Sequence, residues 1–497
     1  MSDTAKNSEH RYVSDLRRLD SSRTAVSRNL ASLLPFTLAG LFLVLVAAFA
    51  ANSFGFSSHQ SLLIVAAAVC GGYMALNIGA NDVANNMGPA VGGRVLTITA
   101  ALFIAMICET AGALLAGGDV VRTVAKGIIA PGGAVSVGDF QYLMLSAVVG
   151  AALWINLATY LGAPVSTTHS IVGGVLGGGV AAAGLETVNW MTMLQIAASW
   201  IVSPLFGGIV AAALLAFIKW RILYAPKRRE AAAFWVPQLI ALMAAAFAAY
   251  MAMKGLKNIW KFSALEIAAI AVVMFALTWF AMRPVIASRV ARLSEHRNDV
   301  NTLFDLPLIL GAALLSFAHG ANDVANAVGP LAAIVSTMSG TGAIEDKVAI
   351  PLWVMVVGAL GIAIGLVTFG PKLIRVVGEQ ITRLNSTRAY CVALSAAVTV
   401  LIATSLGLPV SSTHIAVGAV FGVGFLREYV ENPNRRKLRP GHKLNATAED
   451  AFNSRNARRS RYLVRRRFLW SIAAAWIITV PATAGLAAAL YALSRLL

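Results

Sequence analysis

The sequence predicts an all-α polytopic membrane protein, with an inverted repeat, two re-entrant helical hairpins and broken helices. Three observations carry this reading. Hydrophobic residues make up 58% of the chain and charged residues 12%, about half the charged share of a soluble globular protein. Runs of roughly 20 apolar residues, long enough to cross a bilayer, recur along the chain. Two polar blocks occur twice, in the same order, inside those runs. The mean hydropathy of +0.73 excludes a soluble enzyme and a disordered chain. Cys70, Cys108 and Cys391 all sit in apolar runs, which excludes a disulfide scaffold and gives no metal-ligand spacing.

Residues 1–32 are polar and basic and read as a cytoplasmic N-terminal segment. Ala48-Phe49-Ala50 resembles a signal cleavage site, but the apolar run before it and its lead are too long. Residues 33–53 therefore read as an extra N-terminal transmembrane helix. Further spans follow at 61–92, 94–117, 190–217, 232–253, 263–283, 306–337, 347–371 and 468–494. The stretches 141–184 and 389–427 are interrupted by Pro-containing polar motifs and read as re-entrant hairpins. The organisation is a first repeat over 61–217, connecting helices and a basic linker over 218–305, and a second repeat over 306–497 with a basic loop at 427–467.

The net charge of +18 lies in loops between spans, so it reads as membrane orientation and not as nucleic-acid binding. With the N-terminus cytoplasmic and both hairpins returning to their own side, the cytoplasmic segments hold 33 of the 40 basic residues. The others are Arg122, Lys126, Lys254, Lys257, Lys261, Lys347 and Arg495. Hairpins that crossed fully would force basic loops outside. The C-terminus then falls outside, and Asn445-Ala446-Thr447, which fits a glycosylation sequon, falls in the cytoplasm. The loop 427–467 reads as a solvated linker near anionic lipids.

Gly79-Ala80-Asn81-Asp82-Val83-Ala84-Asn85 recurs as Gly320-Ala321-Asn322-Asp323-Val324-Ala325-Asn326, 241 residues later. Pro164-Val165-Ser166-Thr167-Thr168-His169 recurs as Pro409-Val410-Ser411-Ser412-Thr413-His414, 245 residues later. Ile196-Ala197-Ala198 with Trp200-Ile201 recurs as Ile472-Ala473-Ala474 with Trp476-Ile477. Five crossings separate equivalent helices, so the copies are expected to have opposite orientations. Such a repeat with interrupted helices is the pattern of secondary transporters, with the binding site near the midplane.

Asp82 and Asp323 are carboxylates inside apolar spans. They are costly there unless they face a partner or a water-filled cavity. With Asn81, Asn85, Asn322 and Asn326 they offer hard oxygen ligands for a cation, or a proton site. Adjacent Asn and Asp cannot face one way on a regular helix, so local unwinding is expected near Gly79 and Gly320. At the hairpin tips Pro breaks one arm and Ser or Thr starts the next. The hydroxyls of Ser166, Thr167, Thr168, Ser411, Ser412 and Thr413, with free helix N–H groups, suit a tetrahedral oxyanion. Alternatively these hydroxyls bond back to helix carbonyls. No Lys or Arg sits in these motifs, so a cation carried with the oxyanion must offset its charge. Glu109 is a further buried acid, present in one copy only because its counterpart is Ile362, and reads as a proton carrier, an accessory cation ligand or a structural hydrogen-bonding group. His169, His319 and His414 are accessory candidates, since imidazole titrates in the useful range. Each also reads as a packing residue.

On these blocks the chain resembles the inorganic phosphate transporter (PiT) family from about residue 60 to the C-terminus. The resemblance implies import of inorganic phosphate with a cation, an inverted-repeat fold with two hairpins, and a homodimer. It implies that Asp82, Asn85, Asp323 and Asn326 bind coupling cations close to phosphate. Ser166, Thr167, Thr168, Ser411, Ser412 and Thr413 would then cradle the phosphate. The expectation is a multi-pass plasma-membrane protein, in a bacterial inner membrane, that is not an enzyme. It needs no cofactor or metal beyond the transported sodium ion or proton. The family includes sodium-coupled, proton-coupled and metal–phosphate-carrying members, and some relatives carry sulfate. Coupling ion and oxyanion therefore both stay open. An anion channel and a nutrient sensor are the other readings. An intramembrane hydrolase using Ser166, His169 and Asp82 lacks the Gly-x-Ser-x-Gly elbow.

Overall fold

Apolar runs become helices, and small polar residues set where many of them start. The structure, a computed structural model, describes residues 33–55, 58–129, 135–160, 165–257, 259–294, 296–337, 350–380, 384–431 and 467–496. Its helices are α1 (Leu33–Phe54), α2 (His59–Gly92), α3 (Ile98–Ala116), the short α4 (Gly118–Arg122), α5 (Val137–Tyr160), α6 (Thr167–Ala183), α7 (Trp190–Ile218), α8 (Arg228–Tyr250), α9 (Ala264–Val290), the short α10 (Arg297–Asn301), α11 (Asp305–Ser336), α12 (Leu352–Gln380), α13 (Ser386–Ser405), α14 (Ser412–Glu431) and α15 (Arg467–Ser494). Ser58, Thr97, Ser166, Asn189, Ser263 and Asn385 cap α2, α3, α6, α7, α9 and α13 through their side chains, supplying acceptors the first turns lack. The expected N-terminal segment, Pro164, the sequon and the loop residues 432–466 lie outside the described residues.

Eleven helices among the described residues are long and apolar enough to cross a membrane, and the chain is an all-α, multi-pass membrane protein. Nine coincide with the expected spans. The other two, Val137–Ala158 and Ser386–Ser405, are the first arms of the stretches read as hairpins. Their second arms are α6 and α14.

The breaks fall at the hairpin tips and not at the Asn-Asp motifs. Both α2 and α11 run unbroken through their motifs, so the expected unwinding near Gly79 and Gly320 does not occur. Helical geometry explains why it is not needed. Asp82 and Asn85, like Asp323 and Asn326, are three residues apart and share a face. Asn81 and Asn322 point elsewhere.

The two copies of the repeated blocks pack on one another. α2 lies against α12 and α11 against α3, while α6 lies against α15 and α14 against α7. The closest approaches match across the repeat. A Cβ on Gly79 would lie 2.0 Å from the carbonyl oxygen of Ile362, and one on Gly320 would lie 2.0 Å from that of Glu109. Small residues at helix crossings are how membrane helices bring their backbones together. Here the crossing places Glu109 beside His319, next to Gly320 on α11.

Candidate functional site

The second hairpin tip shows how irregular backbone is held inside the bundle. After α13 the chain turns at Gly407, whose φ is +69°. It then runs through Leu408, Pro409 and Val410 to Ser411. Such backbone is stable at membrane depth only where protein supplies its hydrogen bonds. Asn322 does much of this: its amide donates to the Leu408 carbonyl at 3.1 Å, and its oxygen accepts from the Val410 N–H at 3.1 Å. Thr168, from the other tip, donates to the Val410 carbonyl at 3.0 Å, and the Trp200 indole donates to that of Pro409 at 3.0 Å. The two tips therefore meet.

Around that meeting point, α2, α11 and both tips close on a polar cluster. Thr167 donates to Asp82 at 3.4 Å, and Ser412 donates to Asp323 at 3.2 Å. Asn85 donates to Thr413 at 2.8 Å, and Asn326 donates to Thr168 at 3.0 Å. Each pair of contacts relates equivalent residues of the two copies. Thr413 and Asn85 also donate to Asp82, at 3.1 and 3.2 Å. Asp323 Oδ1 and Asn326 Oδ1 are buried with no hydrogen-bond partner. Two such oxygens one helical turn apart are unusual, because buried acceptors are nearly always satisfied. Asp82, His319 and Asp323 bring ligand atoms within 4.8 Å of one another and could hold a metal ion or another cation.

A sequence profile of the phosphate transporter family matches residues 78–487. The chain belongs to the phosphate transporter family. A relative from Helicobacter pylori strain J99, named "Putative phosphate permease", is 48% identical over 407 residues, covering 82% of this chain and 76% of that one. A relative of the same name from Haemophilus influenzae is 37% identical, covering 75% and 90%. A solved structure titled "The sodium-dependent phosphate transporter" superposes with a TM-score of 0.77 at 35% identity, covering 88% of this chain and all of that one. The family is one of transporters, not enzymes.

In this family member the candidates separate into groups. Asp82, Asn85, Asp323, Asn326, Thr167, Thr168, Ser412 and Thr413 form the central cluster. Ser166 and Ser411 lie at the same tips but accept from the backbone N–H of His169 and His414, at 3.2 and 3.4 Å. They act as helix caps, and their hydroxyl oxygens are engaged locally. Asn322 holds the second tip, with both its amide and its oxygen hydrogen-bonded there. Asn81 is half-buried and joins none of these hydrogen bonds. His169 and His414 lie behind the tips with ring centroids 5.1 Å apart, and His169 stacks on Trp200 at 3.8 Å. His319 lies inside the cluster, with Nε2 2.9 Å from Asp323 and 3.7 Å from Asp82, and Nδ1 3.2 Å from Glu109.

Sequence reasoning missed Asn86, Thr404 and Trp200. Asn86 donates to Glu109 at 2.9 Å, and Thr404 accepts from Asn322 at 3.0 Å. The signal for Asn86 was present. Asn86, Glu109 and His319 have Ala327, Ile362 and Ile78 as counterparts in the other copy. These three one-sided polar residues are linked through Glu109, which meets both Asn86 and His319. A comparison of the copies for one-sided polar residues finds them.

The hairpin role of Asn322 is testable. Asn322→Ala leaves two buried backbone groups unpaired, at about 1–3 kcal/mol each. We expect it to lower the unfolding temperature in detergent well below that of Asn81→Ala. Equal losses from the two variants would remove this role.

Proposed function

We propose that the chain carries inorganic phosphate across the membrane together with a cation, by alternating access of two inverted repeats around one midplane site. The observation that carries this is the cluster itself. Two buried carboxylates and two unpaired buried oxygens stand beside hydroxyls from both hairpin tips, and no Lys or Arg joins them among the described residues. Oxygens of Asp82, Asp323 and Asn326 suit a cation. The hydroxyls of Thr167, Thr168, Ser412 and Thr413, with the tip helix N-termini, suit a tetrahedral oxyanion. An oxyanion without basic partners is offset by the cation, which couples the two. On the charge bias of the loops, the N-terminus is cytoplasmic and the C-terminus outside, in a plasma membrane.

Two observations favour different coupling ions. The structurally similar protein titled as sodium-dependent supports sodium. The Glu109–His319 pair, touching both aspartates, supports a proton, since it is a titratable chain present on one side of the repeat only. Radiolabelled phosphate uptake into proteoliposomes tests both, under an imposed sodium gradient and, separately, an imposed pH gradient. Sodium-driven accumulation makes Asp323 and Asn326 sodium ligands. Accumulation driven by pH alone makes Glu109 and His319 the proton path. No concentrative uptake under either gradient would sink symport and leave a channel or a sensor. Strong inhibition by excess sulfate would move the substrate to sulfate.

A further inference from the structure

Away from the central cluster, a cavity of about 260 Å³ lies where the end of α3, the segment after α8 and the start of α12 meet. Its walls include Arg122, Lys254 and Lys257, with Leu115, Leu352 and Met355. All three basic groups converge on one acid, Asp119 of α4. Arg122 reaches Oδ1 at 2.9 Å, Lys254 reaches Oδ2 at 3.0 Å, and Lys257 also bonds Oδ1. Partial burial pushes the Asp119 carboxyl up, but the hydrogen bonds and charges of Lys257 and Lys254 outweigh this and hold it below its ordinary value. One negative charge thus faces three positive ones, and no acidic residue lines the cavity among the described residues. The lysine side chains are only 24% and 31% exposed. Their mutual repulsion is therefore screened less than on an open surface.

We propose that this cavity is a second oxyanion site, which takes a phosphate group at the mouth of the protein. The ligand is either free inorganic phosphate or the phosphodiester headgroup of a bilayer lipid. Convergent half-buried cations draw and hold such a group, and each lysine keeps N–H donors beyond the one turned to Asp119. The acid that gathers these basic groups also lies near the second hairpin tip. A Cβ on Gly407 would lie 3.2 Å from the Thr123 hydroxyl and 3.5 Å from the Asp119 carbonyl, so α4 packs on the turn that leads into the second tip. On the orientation proposed above, this mouth is outside. Only the free-phosphate source rests on the transport reading; the site itself does not.

The test is equilibrium binding of radiolabelled phosphate to purified protein in zwitterionic detergent, in an Asp323→Asn background that weakens the central site. Native mass spectrometry of retained phosphatidylglycerol against phosphatidylcholine runs beside it. The variants are Lys254→Gln with Lys257→Gln, and Arg122→Gln alone, which leaves both lysine–Asp119 pairs in place. If free phosphate is the ligand, residual affinity falls at least about tenfold in both variants, the loss of a charge-assisted hydrogen bond. If a lipid is the ligand, phosphate binding is unchanged but retained phosphatidylglycerol is lost. Variants that match the parent in both measurements overturn the site. Should wild-type proteoliposomes show no uptake, the transport reading fails while these binding results stand.

Discussion

Asp323→Asn is expected to abolish coupled phosphate uptake while the protein still folds and inserts. The substitution keeps the shape of the side chain and an oxygen for the Ser412 hydroxyl, so the packing of α11 is unaffected. It removes the charge. Asp323 is buried to 1% exposure, with His319 Nε2 at 2.9 Å and Oδ1 unpaired. It therefore provides both a close polar contact for His319 and a ligand position for an entering cation. Hydrogen bonds to charged groups are worth about 1.5–3 kcal/mol each. Losing one such contact, that with His319, weakens cation-dependent binding about tenfold or more. The measurement is radiolabelled uptake into proteoliposomes, with size-exclusion chromatography to show that the variant is intact. Asp82→Asn should also stop coupled uptake. Asp82, however, is already met by Thr167, Thr413 and Asn85, so its residual phosphate binding should exceed that of Asp323→Asn. Near-normal uptake by both variants would remove the carboxylates from the cation site.

Much of this site was legible because duplication makes pattern visible. One polar heptad in an apolar span is ambiguous, but the same heptad twice, each followed by the same hydroxyl block, marks a shared site. The span positions were legible from apolar run length alone, since the bilayer fixes the length a helix needs. The roles of adjacent residues were not. Asn81 and Asn322 occupy equivalent positions in the motif, yet only Asn322 is bound to a hairpin tip. That difference depends on contacts some 86 to 88 residues away in sequence. Ser166 and Ser411 cap their helices, a role the sequence does not separate from oxyanion binding because capping residues and anion-binding residues are the same residue types at the same place, the start of a helix. Helix continuity was misread because the two side chains at i and i+1 were assumed to share a target. The structure gives the site i and i+3 instead.

Gly320→Ala is expected to prevent normal folding, because one methyl group would run into the Glu109 backbone. The added Cβ would lie 2.0 Å from the Glu109 carbonyl oxygen and 2.7 Å from both its carbonyl carbon and Cα. Ordinary contact begins near 3.4 Å, so α3 and α11 would have to separate, and no side-chain rotation relieves the clash. Overpacking of this kind costs about 1–3 kcal/mol and more when backbones must move, and we place this variant at about 3 kcal/mol or above. The measurements are the yield of monodisperse protein and its unfolding temperature in detergent. Gly79→Ala creates the same 2.0 Å clash with Ile362 and should destabilise the fold to a similar degree. The two variants part in function. The Gly320 crossing carries Glu109 and His319, whereas the Gly79 crossing carries Ile362 and Ile78. In whatever folded fraction survives, Gly320→Ala should shift the pH dependence of uptake and Gly79→Ala should leave it unchanged. Identical pH profiles would mean that the one-sided polar chain serves packing and takes no part in coupling.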